Sequence, residues 1–179
     1  MIIRHFEPMT KSGAVFLAYF YFDFKDEGKR DSRALLSSLL DQLCNQSDQF
    51  RDVLRGLYSE HQDGSKQPHN DALLRCLKDM LTMMQSAPVY LVLDALDECP
   101  DDSGDLSSRS PRGKVLSVVE ELVELRLPNL HLCIMSRPEV DIRTILKPLA
   151  TQQISLHEEG GQNRDINAYV TFIVQSITK

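Results

Sequence analysis

The chain has 179 residues, with 20 Lys and Arg against 26 Asp and Glu for a formal charge of −6, and 42% of its residues are apolar. At about 100–200 residues per domain this is one domain or most of a larger one, and the ordinary apolar content excludes a disordered, collagen-like or fibrous chain. The acidic balance disfavours a dedicated nucleic-acid binder, which needs clustered Lys and Arg. The longest apolar run, residues 14–22, falls well short of the ~18–20 residues of a membrane span, so no membrane partner is expected.

In chain order, residues 15–22 (Val-Phe-Leu-Ala-Tyr-Phe-Tyr-Phe) form a continuous apolar run and read as a strand buried on both faces. Leu36, Leu39, Leu40 and Leu43 then recur at helical spacing over residues 31–44, with Asp31 or Ser32 as the cap. Phe50, Val53, Leu54 and Leu57 mark a second helix, and the polar stretch 59–70, with Gly64 and Pro68, reads as a loop. Asn70 or Asp71 is expected to cap a third helix carrying Leu73, Leu77, Met80, Leu81 and Met84. After Pro88 comes an all-apolar strand over 89–93, then a long polar loop, 99–113, with Pro100 and Pro111. A helix over 115–125, a buried strand over 132–135 and a short helix over 140–146 follow, then a weaker strand over 153–156 and an amphipathic helix over 166–177.

This alternation predicts an α/β fold, a parallel sheet flanked by helices. Right-handed crossovers place every strand's carboxyl end on one edge, and ligands of such sheets bind outside that edge. The strand over 89–93 delivers Asp94-Ala95-Leu96-Asp97-Glu98 there. Three carboxylates within five residues repel one another unless a cation shares the site, and Mg²⁺, with oxygen ligands and retained waters, suits that need. Asp94 is best placed to hold the ion, while Asp97 or Glu98 could polarise a water; the alternative is a solvated acidic turn. The next strand brings Ser136-Arg137-Pro138-Glu139 to the same edge, where a guanidinium could grip a phosphate or simply pair with Glu139 or Asp141.

Val-Tyr-Leu-Val-Leu-Asp-Ala-Leu-Asp-Glu-Cys-Pro over 89–100 resembles the Walker B segment of NACHT-type STAND NTPases, particularly fungal families with a nephrocystin 3-like N-terminal domain. Residues 17–24, 130–143 and 164–170 are similar to that family's second strand, sensor 1 region and subsequent helix, so the resemblance covers nearly the whole chain as a partial domain. It implies a P-loop NTPase-like three-layer sandwich and a signalling nucleotide switch using ATP or GTP with Mg²⁺. Under it Asp94 is the metal-associated residue, Asp97 and Glu98 the catalytic acidic pair, and Arg137, with Ser136, the contact to the terminal phosphate.

The phosphate grip of that family, G-x-x-x-x-G-K-[ST], does not occur. Gly28-Lys29 is followed by Arg30 and Gly113-Lys114 by Val115, and without the loop's amides and lysine the phosphates have no cradle. Residues 1–6 resemble the back half of the helix that follows the P-loop, so the expectation is a fragment missing the first strand and the P-loop, with a gap at the centre of its sheet. Its end at Lys179 leaves out the winged-helix and repeat regions that such proteins carry. The fragment is then expected to bind nucleotide weakly or not at all. A different class of function is an interaction or oligomerisation module with protein partners or self-association, since amphipathic helices on the missing-strand side would lack partners. A third is a Mg²⁺-dependent phosphatase or nuclease built on the acidic cluster, for which Arg137 supplies too little positive charge.

Cysteines 44, 76, 99 and 133 show no C-x-x-C spacing, and the five histidines are scattered. Neither a zinc site nor a thiol redox motif is suggested. The first residues lack a charged start followed by a long apolar stretch, so no secretory leader is expected and a reducing cytoplasmic location with free thiols is the economical reading.

Overall fold

The computed structural model describes residues 2–61, 64–84, 87–101 and 109–155. The chain divides into two compact units, Met1–Leu146 and Lys147–Lys179. Three strands, β1 (Phe16–Tyr21), β2 (Val89–Asp94) and β3 (Leu130–Ile134), form one parallel sheet in the order β1-β2-β3. The register pairs Phe16 with Val89 and Leu91 with Leu132. The three described strands are therefore contiguous.

Alternation sorts the strand residues onto two faces. Phe16, Ala18, Phe20, Val89, Leu91 and Leu93 face a core that they share with α2 (Ser32–Cys44), α3 (Asp48–Glu60), α4 (Asn70–Met83) and α5 (Pro111–Glu124). Leu36, Leu43, Leu77, Met80 and Val115 are fully buried there, each large side chain contributing about 1.5–3 kcal/mol by leaving water. Phe50, also fully buried, meets Phe16 edge to face at 5.0 Å. The opposite face carries Leu17, Tyr19, Tyr21, Tyr90, Val92 and Cys133, and α1 (Ile2–Lys11) packs Ile3 and Phe6 onto it, with the Phe6 and Tyr90 rings 4.5 Å apart. These layers are an α/β fold with a parallel sheet flanked by helices.

Several boundaries differ from the sequence reading, each for a local reason. The polar loop expected over 59–70 is shorter, since α3 runs through Glu60 and α4 starts at Asn70. Its cap position is His69, with no side-chain bond, because the Asn70 amide instead donates to Ser32 Oγ at 3.0 Å and ties α4 to α2. The loop expected over 99–113 ends at Ser110, whose hydroxyl accepts the Gly113 N–H, with Pro111 in the first turn of α5. The strand placed at 132–135 spans Leu130–Ile134 and is half-exposed rather than buried, as an edge strand is. In β1 the second face is buried at Leu17 and half-buried at Tyr19 and Tyr21. Helix α6 (Val140–Leu149) runs three residues past the expected end. Residues 152–155 form no strand; Leu156 and the helix expected over 166–177 lie outside the described residues. Asp31 caps α2 as expected, accepting the Ala34 N–H at 2.8 Å.

Candidate functional site

The carboxyl rim of the sheet collects the turn after β2 and the loop after β3. Met135 N–H donates to Leu93 O at 2.8 Å, and Leu96 N–H donates back to Met135 O at 3.2 Å, so the two strand ends are stitched together beyond the last ladder residues. Between them Ala95 adopts φ 55°, ψ 42°, a left-handed conformation that disfavours a side chain by about 1–2 kcal/mol. Ala95 N–H is held by the Asp94 carboxylate at 2.8 Å. The 3-10 turn that follows, Leu96–Glu98, buries Leu96 completely and leaves Asp97 and Glu98 partly buried.

The three carboxylates do not converge. Asp94 lies on the α1 face opposite Tyr21 in the register, where burial and then the Asp94 charge push the Tyr21 phenol above its ordinary value. Asp97 reaches the other way, to the end of β3. It accepts the Arg137 N–H at 3.0 Å and the Ser136 hydroxyl at 3.4 Å, and its second oxygen lies 3.5 Å from Arg137 Nε. The Asp97 side chain is only 11% exposed, while that of Arg137 is 82% exposed. The carboxylate is thus committed to holding the loop, and the guanidinium is presented to solvent. Glu98 turns toward the end of β1, into a cleft of about 350 Å³ lined also by Tyr21, Phe24, Lys25 and Lys29. Among the described residues no group of three or more His, Cys, Asp or Glu side chains is placed to hold a metal ion.

A residue not singled out in the sequence organises this rim from behind. Arg112, in the first turn of α5, donates Nε to Cys99 O and Nη2 to Asp97 O, both at 2.8 Å, and lies 3.3 Å from both Asp141 carboxylate oxygens. Asp141 is therefore the partner of Arg112, not of Arg137. The Cys99 thiol is fully buried, donates to Arg30 O at 3.0 Å and is pushed by burial to about 12. The acidic turn is fastened on both sides.

A family model described as nephrocystin 3, N-terminal, matches residues 1–137. The chain belongs to this family. All three strands of this nephrocystin 3 N-terminal domain, and Asp94, Asp97, Glu98, Ser136 and Arg137, fall within the matched span, which stops at the exposed arginine; α6 and Asp141 lie beyond it. Comparisons with curated proteins and with solved structures found no match. No helix among the described residues is long and apolar enough to cross a membrane.

Proposed function

We propose that this domain is the sensing part of a NACHT-type STAND nucleotide switch in the cytoplasm, and that the 179-residue chain alone neither binds nucleotide tightly nor hydrolyses it. The observation that carries the reading is the junction of Asp97 with Arg137. A nearly buried carboxylate fixes the backbone of the loop, while the Arg137 side chain, its Nε 3.5 Å from the same carboxylate, is largely exposed at the ligand-binding edge. Arg137, with Ser136, would meet the terminal phosphate of ATP or GTP. Among the described residues Asp94 engages only one of its oxygens, which fits a Mg²⁺ held through one carboxylate and several waters. That ion would neutralise phosphate charge. Of the acidic pair, Asp97 is occupied in holding Arg137, which leaves Glu98, with no side-chain hydrogen bond or ion pair among the described residues, as the group able to orient a water.

Without the amides and lysine of a P-loop, a triphosphate on this rim faces three carboxylates with little beyond Arg137 to compensate. Losing those contacts removes several kcal/mol of binding and transition-state stabilisation. Phosphate release with Mg-ATP and Mg-GTP is expected to equal the buffer rate, and calorimetry to give no Kd below about 1 mM. Mg²⁺-dependent turnover that disappears in Asp97→Asn or Glu98→Gln would overturn the proposal.

One observation favours a second reading, a docking or self-association module that uses neither nucleic acid nor membrane. The packed cluster on the Tyr19–Tyr21–Tyr90 face draws its helical cover, among the described residues, from α1 alone. Light scattering on the purified chain tests it. A monodisperse oligomer supports the module, and a monomer removes self-association.

A further inference from the structure

Arg112 makes contacts that a helix-surface arginine does not need for solubility. Its side chain is only 11% exposed, and its guanidinium joins three separate pieces of chain: the carbonyls of Asp97 and Cys99 in the acidic turn, α5 on which it sits, and Asp141 in the first turn of α6. Its own backbone N–H donates to Pro100 O at 2.9 Å, which anchors the start of α5 to the end of the same turn. The planar fork of an arginine can satisfy two carbonyls and a carboxylate at once, which a lysine ammonium on its flexible stem cannot do in a fixed geometry. The two carbonyls lie 15 and 13 residues before Arg112, and Asp141 lies 29 after it, so one side chain sets the relative position of segments that the sequence does not bring together.

We propose that Arg112 is a positioning residue for the rim: by locking the acidic turn to the first turn of α6, it sets where Asp97 meets the Arg137 loop. Both ends of that loop are then fixed, one by the Asp97 carboxylate and the other by Asp141, four residues after Arg137. Asp141 is the more accessible end of the lock, its side chain 32% exposed against 11% for Arg112. The functional meaning of the lock rests on the reading of the rim as nucleotide-facing; its geometry does not.

The experiment is amide hydrogen exchange on the whole chain, followed at Ser136 and Arg137, with Leu91 and Leu93 in β2 as the internal control. Arg112→Gln is expected to speed exchange at Arg137 at least tenfold, and Asp141→Asn about threefold, with the strand amides unchanged. Should Arg112→Gln fail to fold, Asp141→Asn alone decides, because it leaves the carbonyl bonds in place. Arg112→Lys is expected to fall between wild type and Arg112→Gln. The swapped pair Arg112→Asp with Asp141→Arg restores the ion pair but turns a carboxylate toward two carbonyls, so exchange should stay fast. Unchanged exchange at Arg137 in Asp141→Asn, or full rescue by the swap, would overturn the proposal. Mg²⁺-dependent turnover by the chain, which would overturn the functional reading, would leave every one of these rates as it is, so the two ideas fail separately.

Discussion

Along the outer edge of β1, the outward N–H and C=O groups of Leu17 and Tyr19 are all taken by the side chains of Gln42, in α2, and Gln46, in the turn just past its end. Gln46 Oε1 accepts from Leu17 N at 3.0 Å while its amide donates to Leu17 O at 2.6 Å, and Gln42 does the same for Tyr19 at 3.1 and 2.7 Å. Along the outer edge of β3, Leu132 and Ile134 must present their N–H groups outward, since residues 129 and 135 bond inward to β2, and those groups have no partner among the described residues. The strand there, Leu-His-Leu-Cys-Ile, carries no Asp, Glu, Lys, Arg, proline or glycine to discourage pairing. An edge strand can thus be closed by two amides four residues apart at a helix end, because such a spacing rises about as far as i, i+2 on a strand. Among the described residues the other edge of the sheet has no such cover.

The largest expected effect comes from opening the closed edge. Gln42→Ala with Gln46→Ala strips four backbone groups of their partners, at about 0.5–1.5 kcal/mol each. Urea unfolding should therefore show a loss of about 2–6 kcal/mol, and Leu17 and Tyr19 should exchange their amides as fast as Leu132 and Ile134. A loss below about 0.5 kcal/mol would mean that water replaces the clamp at no net penalty, and the contrast between the edges would lapse.

The thiols probe the same asymmetry. Cys133 on β3 is half-exposed, whereas Cys44, Cys76 and Cys99 are buried. Burial, reinforced by nearby negative charge, raises Cys76 from about 9 to about 12, and burial raises Cys99 equally despite the opposing charge of Arg112. Iodoacetamide at pH 8 should modify Cys133 at least tenfold faster than the others. Because these two folded values lie above the unfolded one, their contribution to stability is complete below pH 9 and falls away as pH rises toward 12. Cys76→Ala should flatten that alkaline decline; an unchanged slope would assign it elsewhere.

The smallest effect is expected at the open edge itself. His131 is exposed and stacks on Tyr90 at 4.7 Å. His131→Lys should change stability by no more than about 0.5–1 kcal/mol while slowing concentration-dependent aggregation followed by light scattering. Equal aggregation in the two proteins would mean that β3 is not where chains meet.

Much of the fold was legible because its signals are local. Asp31 as a cap, the leucines of α2 and the apolar run ending in Asp94 each need only neighbouring residues to be read. The rim was legible in part: strand ends must lie on one edge, so Asp94, Asp97 and Arg137 could be placed together without coordinates. That Asp97 turns to Arg137 and Glu98 to the opposite cleft could not be read, because it depends on the left-handed step at Ala95, for which alanine gives no hint. Arg112 was missed because its partners are mostly backbone carbonyls, which every residue has. Gln42 and Gln46 carry no sequence signal, since nothing in their spacing distinguishes a clamp from solvent-facing amides. Only the boundary of α5 had an overlooked signal, the serine and proline at 110 and 111.

Sequence by itself determined the class of this protein, its parallel strands and the rim on which its ionisable groups gather, since side-chain period and strand direction are properties of the chain alone. Tertiary structure alone decided which edge of the sheet is closed, where each of the three carboxylates points and which arginine fastens the acidic turn. The physical reason is range. Hydrophobic periodicity acts over a few residues, whereas a hydrogen bond between an α2 amide and a β1 carbonyl, or between Arg112 and Asp97 O, exists only once packing has brought distant segments within about 3 Å.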